Sequence, residues 1–399
     1  MLAAREQAMG TDGYLAYGRQ DIDEADIAAV ARVLRSGFLT TGPEIPAFEA
    51  EFAAYTGASH AVACSNGTTA LHLALDALGV GPGDICIVPT ITFMATANAA
   101  RYCGADVVFA DVDATSGLLT PDTFREALTR AGRWAKAVLP VHLAGVQCDM
   151  EAIHAIARKA GLKIVEDSCH AAGSVRADGG MAGDARWCDA ATFSFHPVKT
   201  LTTGEGGMVT TNDPALASLM ARQRSHGIER DPSRFQRAGS AHEPWYHEMA
   251  SLGWNYRLPD INAALGRSQL ARMGQFAVKR RALTAAYREH LAPLSPLVTL
   301  PADPAGQNPC RHLMNVGIDF AAAGRSRADV MQALKARGIG SQVHYIPVHA
   351  QPYYRALYGD QHLPGADAHY ARTLSLPLFT RMEESDVVRV CTALSEVLG

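Results

Sequence analysis

Short apolar runs alternate with longer amphipathic segments between residues 61 and 211. Such runs predict buried strands, whereas apolar residues spaced three or four positions apart predict helices. Seven runs fit the strand pattern: AVAC, DICIVP, ADVVFADV, AKAVLPVH, LKIVED, AATFSF and GMVTT. Because strands that alternate with helices are typical of a parallel sheet covered on both faces, we expect an α/β domain with a mostly parallel, seven-stranded sheet.

Helical spacing also precedes this region. The acidic stretch 21–24 suits the first turn of a helix. Its predicted apolar positions are Ile27, Val30, Ala31 and Leu34. The next predicted helix carries Phe48, Phe52 and Tyr55 on one face, and these three residues are expected in the core.

The C-terminal third mixes helix and strand patterns after a long predicted helix at about 269–290. The stretch 293–309 is rich in proline and should be irregular. The later predicted elements are a helix at 327–337, a strand at 339–345, and helices at 367–374 and 383–397. We therefore expect an N-terminal tail at 1–13, a large domain at 14–270 and a smaller α+β domain at 271–399.

Composition limits the possible classes of protein. The chain has 399 residues, 48% of them hydrophobic, which is enough for two domains with their own cores. Its formal net charge is −4 and it has no basic block, so nucleic acid and anionic membrane surfaces are unsuitable partners. No run has the apolar length of a membrane span.

The cysteines and the N-terminal residues indicate the cellular compartment. The eight cysteines contain no CxxC pair, which favours free, buried thiols in a reducing compartment over disulfides or a zinc site, and no metal is expected. Arg5 and Glu6 fall where a signal peptide would need apolar residues. We expect a cytoplasmic protein.

The segment 190–211, AATFSFHPVKTLTTGEGGMVTT, predicts two strands joined by a short loop that carries Lys199. Pro197 restricts the backbone just before this lysine. A single loop lysine is usually a solvated surface charge. An amine that loses water has a lowered pKa and can form a Schiff base. The hydroxyls of Ser194 and Thr202 nearby suit a phosphate-bearing cofactor with an aldehyde.

A carboxylate provides the second part of the pattern. Asp167 ends the predicted strand LKIVED, and open α/β sheets bind their ligands at the carboxyl ends of strands. Taken alone, Asp167 would be interpreted as part of a turn or a helix cap. Pyridoxal phosphate (PLP) needs both a lysine and an acid that keeps its ring nitrogen protonated, because the protonated ring is the better electron sink. Lys199 and Asp167 together predict a PLP enzyme.

A small-residue loop, CSNGTT at 64–69, leads into a helix predicted to begin near Thr68. The first turn of a helix offers free N–H groups and the positive end of the helix dipole, which together bind phosphate. A helix cap without any ligand is the equal alternative for this loop alone. The order phosphate loop, aspartate, lysine favours the cofactor.

The chain resembles a known protein family from about Tyr14 to its end, and these motifs are part of that resemblance. The strings FSFHPVKTLTTGEGG, VEDSCHAAGS, LGWNYRLPDINAALGRSQL and VHYIPVHAQPYYR resemble the sugar aminotransferases of the DegT/DnrJ/StrS family. The resemblance implies fold type I, the fold of aspartate aminotransferase. Within the family, it points to members that aminate carbon 4 of a UDP-linked 4-keto-6-deoxy-N-acetylhexosamine for pseudaminic acid biosynthesis.

The resemblance also implies site residues. Lys199 and Asp167 are the predicted catalytic pair. The predicted cofactor-binding residues are Gly67, Thr68, Phe93, Asp167, His170, Ser194, Lys199 and Asn255. The predicted substrate-binding residues are Tyr17, Gly37, Phe38, Leu39, Thr40, His196, His344, Tyr345, Ile346 and Pro347. Phe93 would stack on the pyridine ring, although a core phenylalanine is nearly as consistent with the sequence.

Partners follow from the same resemblance. Asn255 would reach the phosphate of a neighbouring subunit, which implies a homodimer with shared active sites. L-Glutamate would be the amino donor, and the nucleotide sugar would be the acceptor. Three alternatives remain: an aminotransferase for another UDP- or dTDP-linked keto sugar, a PLP sugar dehydratase, and a non-catalytic regulator. The lysine at position 199 speaks against the dehydratase, whose family members have histidine there. His349 is expected as a solvated loop histidine.

Overall fold

A computed structural model describes residues 13–237 and 243–399 of the chain. The strands of the central sheet are His60–Cys64 (β1), Ile85–Pro89 (β2), Asp106–Ala110 (β3), Ala135–Val138 (β4), Lys163–Asp167 (β5), Ala190–Ser194 (β6) and Gly207–Thr211 (β7). They form one seven-stranded sheet in the order β1-β7-β6-β5-β4-β2-β3. β7 is antiparallel to both of its neighbours, and the other pairs are parallel. The predicted α/β sheet is therefore confirmed.

Helices connect and cover these strands. The helices up to residue 271 are Glu24–Leu34 (α1), Glu44–Thr56 (α2), Gly67–Ala77 (α3), Ala95–Tyr102 (α4), Pro121–Ala131 (α5), Met150–Lys159 (α6), Pro214–Gln223 (α7) and Asp260–Ala271 (α8). Two short strands, Ile228–Glu229 (β8) and Glu248–Met249 (β9), form a separate antiparallel pair. α3 packs against β6 and β7, so its first turn lies beside the strand ends that carry the lysine loop.

The C-terminal part contains a second, smaller sheet. Its helices are Met273–Leu291 (α9), Arg327–Ala336 (α10), Pro352–Tyr358 (α11), Pro364–Arg372 (α12) and Glu384–Leu398 (α13). Its strands are Val298–Thr299 (β10), Met314–Ile318 (β11) and Thr373–Leu376 (β12). They pair antiparallel in the order β10-β11-β12.

Two large hydrophobic clusters lie around the two sheets. Phe48 and Phe52 are buried in the cluster around the main sheet, as predicted. α9 contributes Met273 to that cluster and Tyr287 to the one around the smaller sheet. Leu15 also packs in the smaller cluster. The domain boundary near residue 270 stays a prediction, and residues 1–12 of the predicted tail lie outside the described residues.

The apolar face predicted for α1 is wrong. Ile27 and Leu34 are 53% and 57% exposed, whereas Ala29 and Val33 pack against Ala264 of α8. Ile261 of α8 packs against the same small cluster. The result leaves two large apolar side chains on the surface of the single chain.

Several element boundaries in the C-terminal third also differ from the predictions. The predicted strand at 339–345 is absent, because only isolated pairs form there, Ile339 with Leu15 and Gln342 with Ser375. The helix predicted to reach residue 374 ends at Arg372 and is followed by β12. β11 was not predicted, and the long helix at 269–290 is two helices that meet at Arg272.

The remaining features concern the whole described chain. All eight cysteines are free, and most are buried, as the sequence predicted. Among residues 13–237 and 243–399, no helix combines the length and the apolar character needed to cross a bilayer.

Candidate active site

Lys199 lies in a tight turn between β6 and β7. Its own N–H donates to the His196 carbonyl over 2.8 Å, and the Phe195 N–H donates to the Gly206 carbonyl over 2.8 Å. The Thr202 hydroxyl donates to the Phe195 carbonyl over 3.0 Å and closes the loop. These hydrogen bonds fix the backbone that carries Lys199.

The environment of the Lys199 amine favours its neutral form. Loss of solvation lowers the pKa of Lys199 below its ordinary value, although the neighbouring Cys169 and Asp167 act in the opposite direction. A lowered pKa increases the fraction of unprotonated amine, which is the nucleophilic form. The lysine therefore has the character of a reactive amine.

Asp167 ends β5 and is only 6% exposed. One carboxylate oxygen accepts a hydrogen bond of 2.7 Å from the Thr96 hydroxyl, and the other accepts one of 3.2 Å from the Cys169 N–H. Thr96 is itself held by the Thr92 hydroxyl, 2.8 Å away. The carboxylate is thus fixed in direction at the sheet edge next to the lysine loop.

The start of α3 completes this side of the site. The Asn66 side chain caps the helix by accepting the Thr69 N–H over 2.9 Å, and the Thr69 hydroxyl accepts the Asn66 N–H over 3.1 Å. Because a helix cannot satisfy its own first N–H groups, those of Gly67 and Thr68 are available for an anion. A Cβ at Gly67 would lie 2.7 Å from the Ser194 Cβ, so only glycine allows this close approach.

Buried aromatic rings form the opposite side. The Tyr345 hydroxyl and His170 Nε2 are 3.0 Å apart, and the Ala144 N–H donates to His170 Nδ1 over 3.3 Å. Both nitrogens of His170 therefore have partners within the chain. The His312 ring centroid lies 4.6 Å from that of His170.

Burial keeps these imidazoles neutral. It lowers the pKa of His170 and His312 well below the usual value, and it lowers the pKa of His344 to about 3, with the Lys199 charge adding to the effect in each case. Burial raises the pKa of the Tyr345 hydroxyl. The rings around Lys199 thus act as neutral hydrogen-bonding groups.

A cavity of about 750 Å³ lies between the two sides. The predicted site residues that line it are Tyr17, Gly67, Thr68, Phe93, Asp167, His170, Ser194, His196, Lys199, His344 and Tyr345. Phe93 is 51% exposed and is therefore a wall of the cavity and not a core residue.

Other predicted residues are not brought to this cavity within the described part of one chain. They are Gly37, Phe38, Leu39, Thr40, Asn255, Ile346 and Pro347. Phe38, Leu39 and Ile346 are large apolar residues with 57%, 48% and 50% exposure. The roles predicted for all seven stay predictions.

Sequence reasoning missed several residues of the site. Thr96 lies one helical turn after Phe93, a spacing that could have suggested it. Glu205, Tyr256 and His312 also line the cavity, and His312 comes from a stretch without any periodic signal. The expectation for His349 was wrong, since it is 5% exposed and its Nδ1 is 2.7 Å from the Thr90 hydroxyl.

Comparison with known proteins defines the class. The architecture is that of fold type I PLP-dependent enzymes, and a model of the DegT/DnrJ/EryC1/StrS aminotransferase family matches residues 20–395. The chain belongs to this family. The family and its structural neighbours are PLP-dependent sugar aminotransferases, and the chain is accordingly an aminotransferase that uses PLP.

Individual relatives cover nearly the whole chain. It is 39% identical to the spore coat polysaccharide biosynthesis protein SpsC of Bacillus subtilis (strain 168), over 96% of this chain and 97% of the relative. Helicobacter pylori PseC, an aminotransferase involved in the biosynthesis of pseudoaminic acid, has 28% identity and a TM-score of 0.88, with 96% and 99% of the two chains covered. Spr1654 of Streptococcus pneumoniae, described as a sugar aminotransferase and solved in its PLP form, has 27% identity and a TM-score of 0.87, with 96% and 98% covered.

The chain's donor groups fit PLP. The start of α3, where Gly67 leaves no room for a side chain, suits a phosphate. The buried Asp167 suits a protonated ring nitrogen, and the Lys199 amine suits an aldehyde. The three groups therefore match the phosphate, the ring nitrogen and the aldehyde of this cofactor.

Proposed function

We propose that the protein transfers the amino group of L-glutamate to carbon 4 of a UDP-linked 4-keto-6-deoxy-N-acetylhexosamine. The product would be UDP-4-amino-4,6-dideoxy-N-acetyl-β-L-altrosamine, a precursor for pseudaminic acid. The observation that carries amino transfer is Lys199 and Asp167 on adjoining strand ends of one cavity. The likeness to PseC over 96% of the chain supports the particular sugar.

The chain's residues divide the work of binding the cofactor. PLP, when bound, supplies an aldehyde that takes up the amino group and a ring that accepts electrons from the donor carbon. The N–H groups of Gly67 and Thr68 and the hydroxyl of Ser194 would hold its phosphate. The Asp167 carboxylate, oriented by Thr96, would accept a hydrogen bond from the ring N–H.

Lys199 has two tasks in this proposal. Its neutral Nζ would hold PLP through the cofactor's aldehyde carbon. When an amino donor is bound, the same Nζ would take a proton from the donor carbon as a general base and would return it to the cofactor carbon as a general acid. The lowered pKa of Lys199 suits both tasks, because the amine must be unprotonated to begin either one.

We also propose that the working enzyme is a homodimer with shared sites in the cytoplasm. Asn255 and the segment 37–40 are exposed in the single chain and lie away from its cavity. A partner could bring its Asn255 to the phosphate, and the exposed Ile27, Phe38 and Leu39 offer apolar surface for an interface. The free cysteines suit a reducing compartment.

A second candidate is amination of another nucleotide-linked keto sugar. It is favoured by SpsC, which is 39% identical and is named for spore coat polysaccharide biosynthesis, whereas PseC is 28% identical. The catalytic groups would be the same in either case. The difference lies in the sugar that the cavity accepts.

A panel of UDP- and dTDP-linked keto sugars separates the two candidates. Each sugar is incubated with the enzyme and ¹⁵N-glutamate, and the product is identified by mass and by the position of the ¹⁵N. We expect the highest kcat/KM with the UDP-4-keto-6-deoxy-N-acetylhexosamine, with the label on carbon 4. A higher kcat/KM with a dTDP sugar or with a different keto sugar would favour the second candidate.

A further inference from the structure

A buried line of hydrogen bonds runs from the smaller sheet to the active-site cavity. His344 Nδ1 lies 2.7 Å from the Ser375 hydroxyl, and that hydroxyl donates to the Asn315 side-chain oxygen over 2.5 Å. His344, Ser375 and Asn315 are 7%, 0% and 5% exposed. His344 lines the cavity, so the line joins the core of the smaller sheet to the site.

The backbone fixes the positions of these groups. Asn315 of β11 and Ser375 of β12 are directly paired in the antiparallel register. On its other side, Ser375 exchanges two backbone hydrogen bonds with Gln342, of 2.7 and 3.1 Å. His344 follows two residues later. Sheet pairing therefore holds Asn315 and Ser375, and the isolated pair at Gln342 ties the backbone next to His344 to β12.

The order of donors sets the hydrogen position on the imidazole. A serine hydroxyl has a single hydrogen. Because Ser375 gives it to the Asn315 oxygen, the Ser375 oxygen can only accept from His344, so the hydrogen of the neutral ring lies on Nδ1. Nε2 then carries a lone pair. Loss of solvation holds the pKa of His344 at about 3, so the ring stays neutral at working pH.

We propose that Asn315 and Ser375 are positioning residues that fix His344 with Nε2 as a hydrogen-bond acceptor for a hydroxyl group of the sugar. This inference rests on the proposed function for the nature of the ligand, since a keto sugar supplies hydroxyl donors. The tautomer itself does not depend on which sugar binds. Asn315 and Ser375 would act through His344 without touching the substrate.

The tautomer can be measured directly in the PLP-loaded enzyme. Histidine labelled with ¹⁵N reports which ring nitrogen carries the hydrogen, and the His344 signal is the one that disappears in His344→Gln. We expect the hydrogen on Nδ1 in the unaltered enzyme and in Asn315→Asp, which keeps the acceptor oxygen. In Asn315→Leu the Ser375 hydrogen is free to point at Nδ1, so we expect the ring hydrogen to move to Nε2.

Two results would overturn the inference at this level. A hydrogen on Nε2 in the unaltered enzyme would mean that the Asn315 amide is reversed and donates to Ser375. The same tautomer in Asn315→Leu and Asn315→Asp would mean that Asn315 does not control the ring. Ser375→Ala provides a second variant if Asn315→Leu fails to fold, and it should lose the fixed tautomer.

Kinetics then test the link to the sugar. In Asn315→Leu the acceptor becomes a donor, and we expect KM for the keto sugar to rise about tenfold, with a much smaller change in KM for glutamate. Asn315→Asp should lie close to the unaltered enzyme. A changed tautomer with unchanged KM for the sugar would overturn the role in sugar binding. If the unaltered enzyme aminates no keto sugar, the proposed function is wrong. The NMR measurement of the His344 tautomer still tests the positioning role of Asn315 and Ser375, because it does not depend on turnover.

Discussion

The two sides of the cavity are built in different ways. The first, here called the strand-end wall, consists of Asp167, Ser194, Lys199 and the start of α3. The second, the histidine wall, consists of His170, His312, His344 and Tyr345. The strand-end wall is formed by the last residues of strands in one sheet and by the segments that directly follow such strands. Apart from His170, the histidine wall comes from segments beyond residue 310 that reach the cavity through long-range contacts.

The difference teaches where chemistry and selectivity reside. Groups at strand ends and helix starts are fixed by local backbone bonds, such as the turn that holds Lys199. That precision suits proton movement and cofactor binding. In the histidine wall, His344 depends on Asn315 and Ser375 of the smaller sheet, so it can change without disturbing the main sheet. We expect changes in the first wall to abolish turnover and changes in the second to alter sugar binding.

Lys199→Ala should have the largest effect. Without the amine, neither the bond to the cofactor nor the proton movement is possible, and we expect kcat to fall by about 10³-fold or more. Activity and the near-visible absorbance of the bound cofactor measure the two losses. Lys159→Ala, at an exposed position of α6, removes the same charge and should retain activity. Normal turnover by Lys199→Ala would contradict the assignment.

Asp167→Asn should follow. The ring nitrogen would lose its anionic partner, and we expect a fall in kcat of roughly 10²-fold while the bond to Lys199 still forms. Thr96→Val removes the 2.7 Å hydrogen bond to Asp167 together with the contact to the Thr92 hydroxyl, and it should cost about tenfold or less. Equal activity in Asp167→Asn and the unaltered enzyme would mean that another acid serves the ring.

The shared site can be tested with mixed subunits. Lys199→Ala and Asn255→Ala should each be inactive as pure proteins. In a hybrid dimer, one site has both changes and the other has neither, so random exchange should restore up to about a quarter of the sites. Exchange is followed by mass and activity in parallel. Complete exchange without any activity would show that Asn255 serves its own chain.

The smallest predicted effect concerns acid stability and His344. In the unfolded chain this ring has the ordinary pKa of 6.5, whereas in the folded chain its pKa is about 3. The unfolded state therefore binds the extra proton between these values, and folding stability falls with falling pH by up to about 1.4 kcal/mol per unit. His344→Gln should lose less stability than the unaltered protein between pH 7 and pH 5 in denaturant titrations. Parallel losses would show that His344 is protonated in the folded state.

The strand-end wall could be predicted from sequence because its signals are local. A strand ending in Asp167, a lysine between two strands and a small-residue helix start each occupy a few adjacent positions. The same is true of the sheet, whose strands are short apolar runs. The strand at 339–345 was mispredicted because its pairing depends on distant partners such as Leu15, which a local pattern does not show.

The histidine wall could be predicted only from the family resemblance, which indicated His170, His344 and Tyr345 but not His312. The sequence places His312 and Ser375 in stretches without chemical signals. The register of β11 and β12 positions Ser375, whereas the His312 N–H donates to the Ala144 carbonyl over 3.0 Å. The exposed Ile27 and Leu34 were predicted as a buried face, because periodicity shows which positions are apolar but not which surface covers them. The apolar pattern does not distinguish a face that packs in the core from a face that binds another subunit.

One measurement tests amino transfer at Lys199 most directly. The PLP-loaded enzyme is treated with L-glutamate, freed of it, and then given the UDP-linked keto sugar in a single turnover. We predict about one 2-oxoglutarate per site in the first step, with bleaching of the near-visible absorbance, and about one amino sugar per site with recovery of that absorbance in the second. A sugar product without nitrogen, or absorbance that glutamate leaves unchanged, would contradict the account.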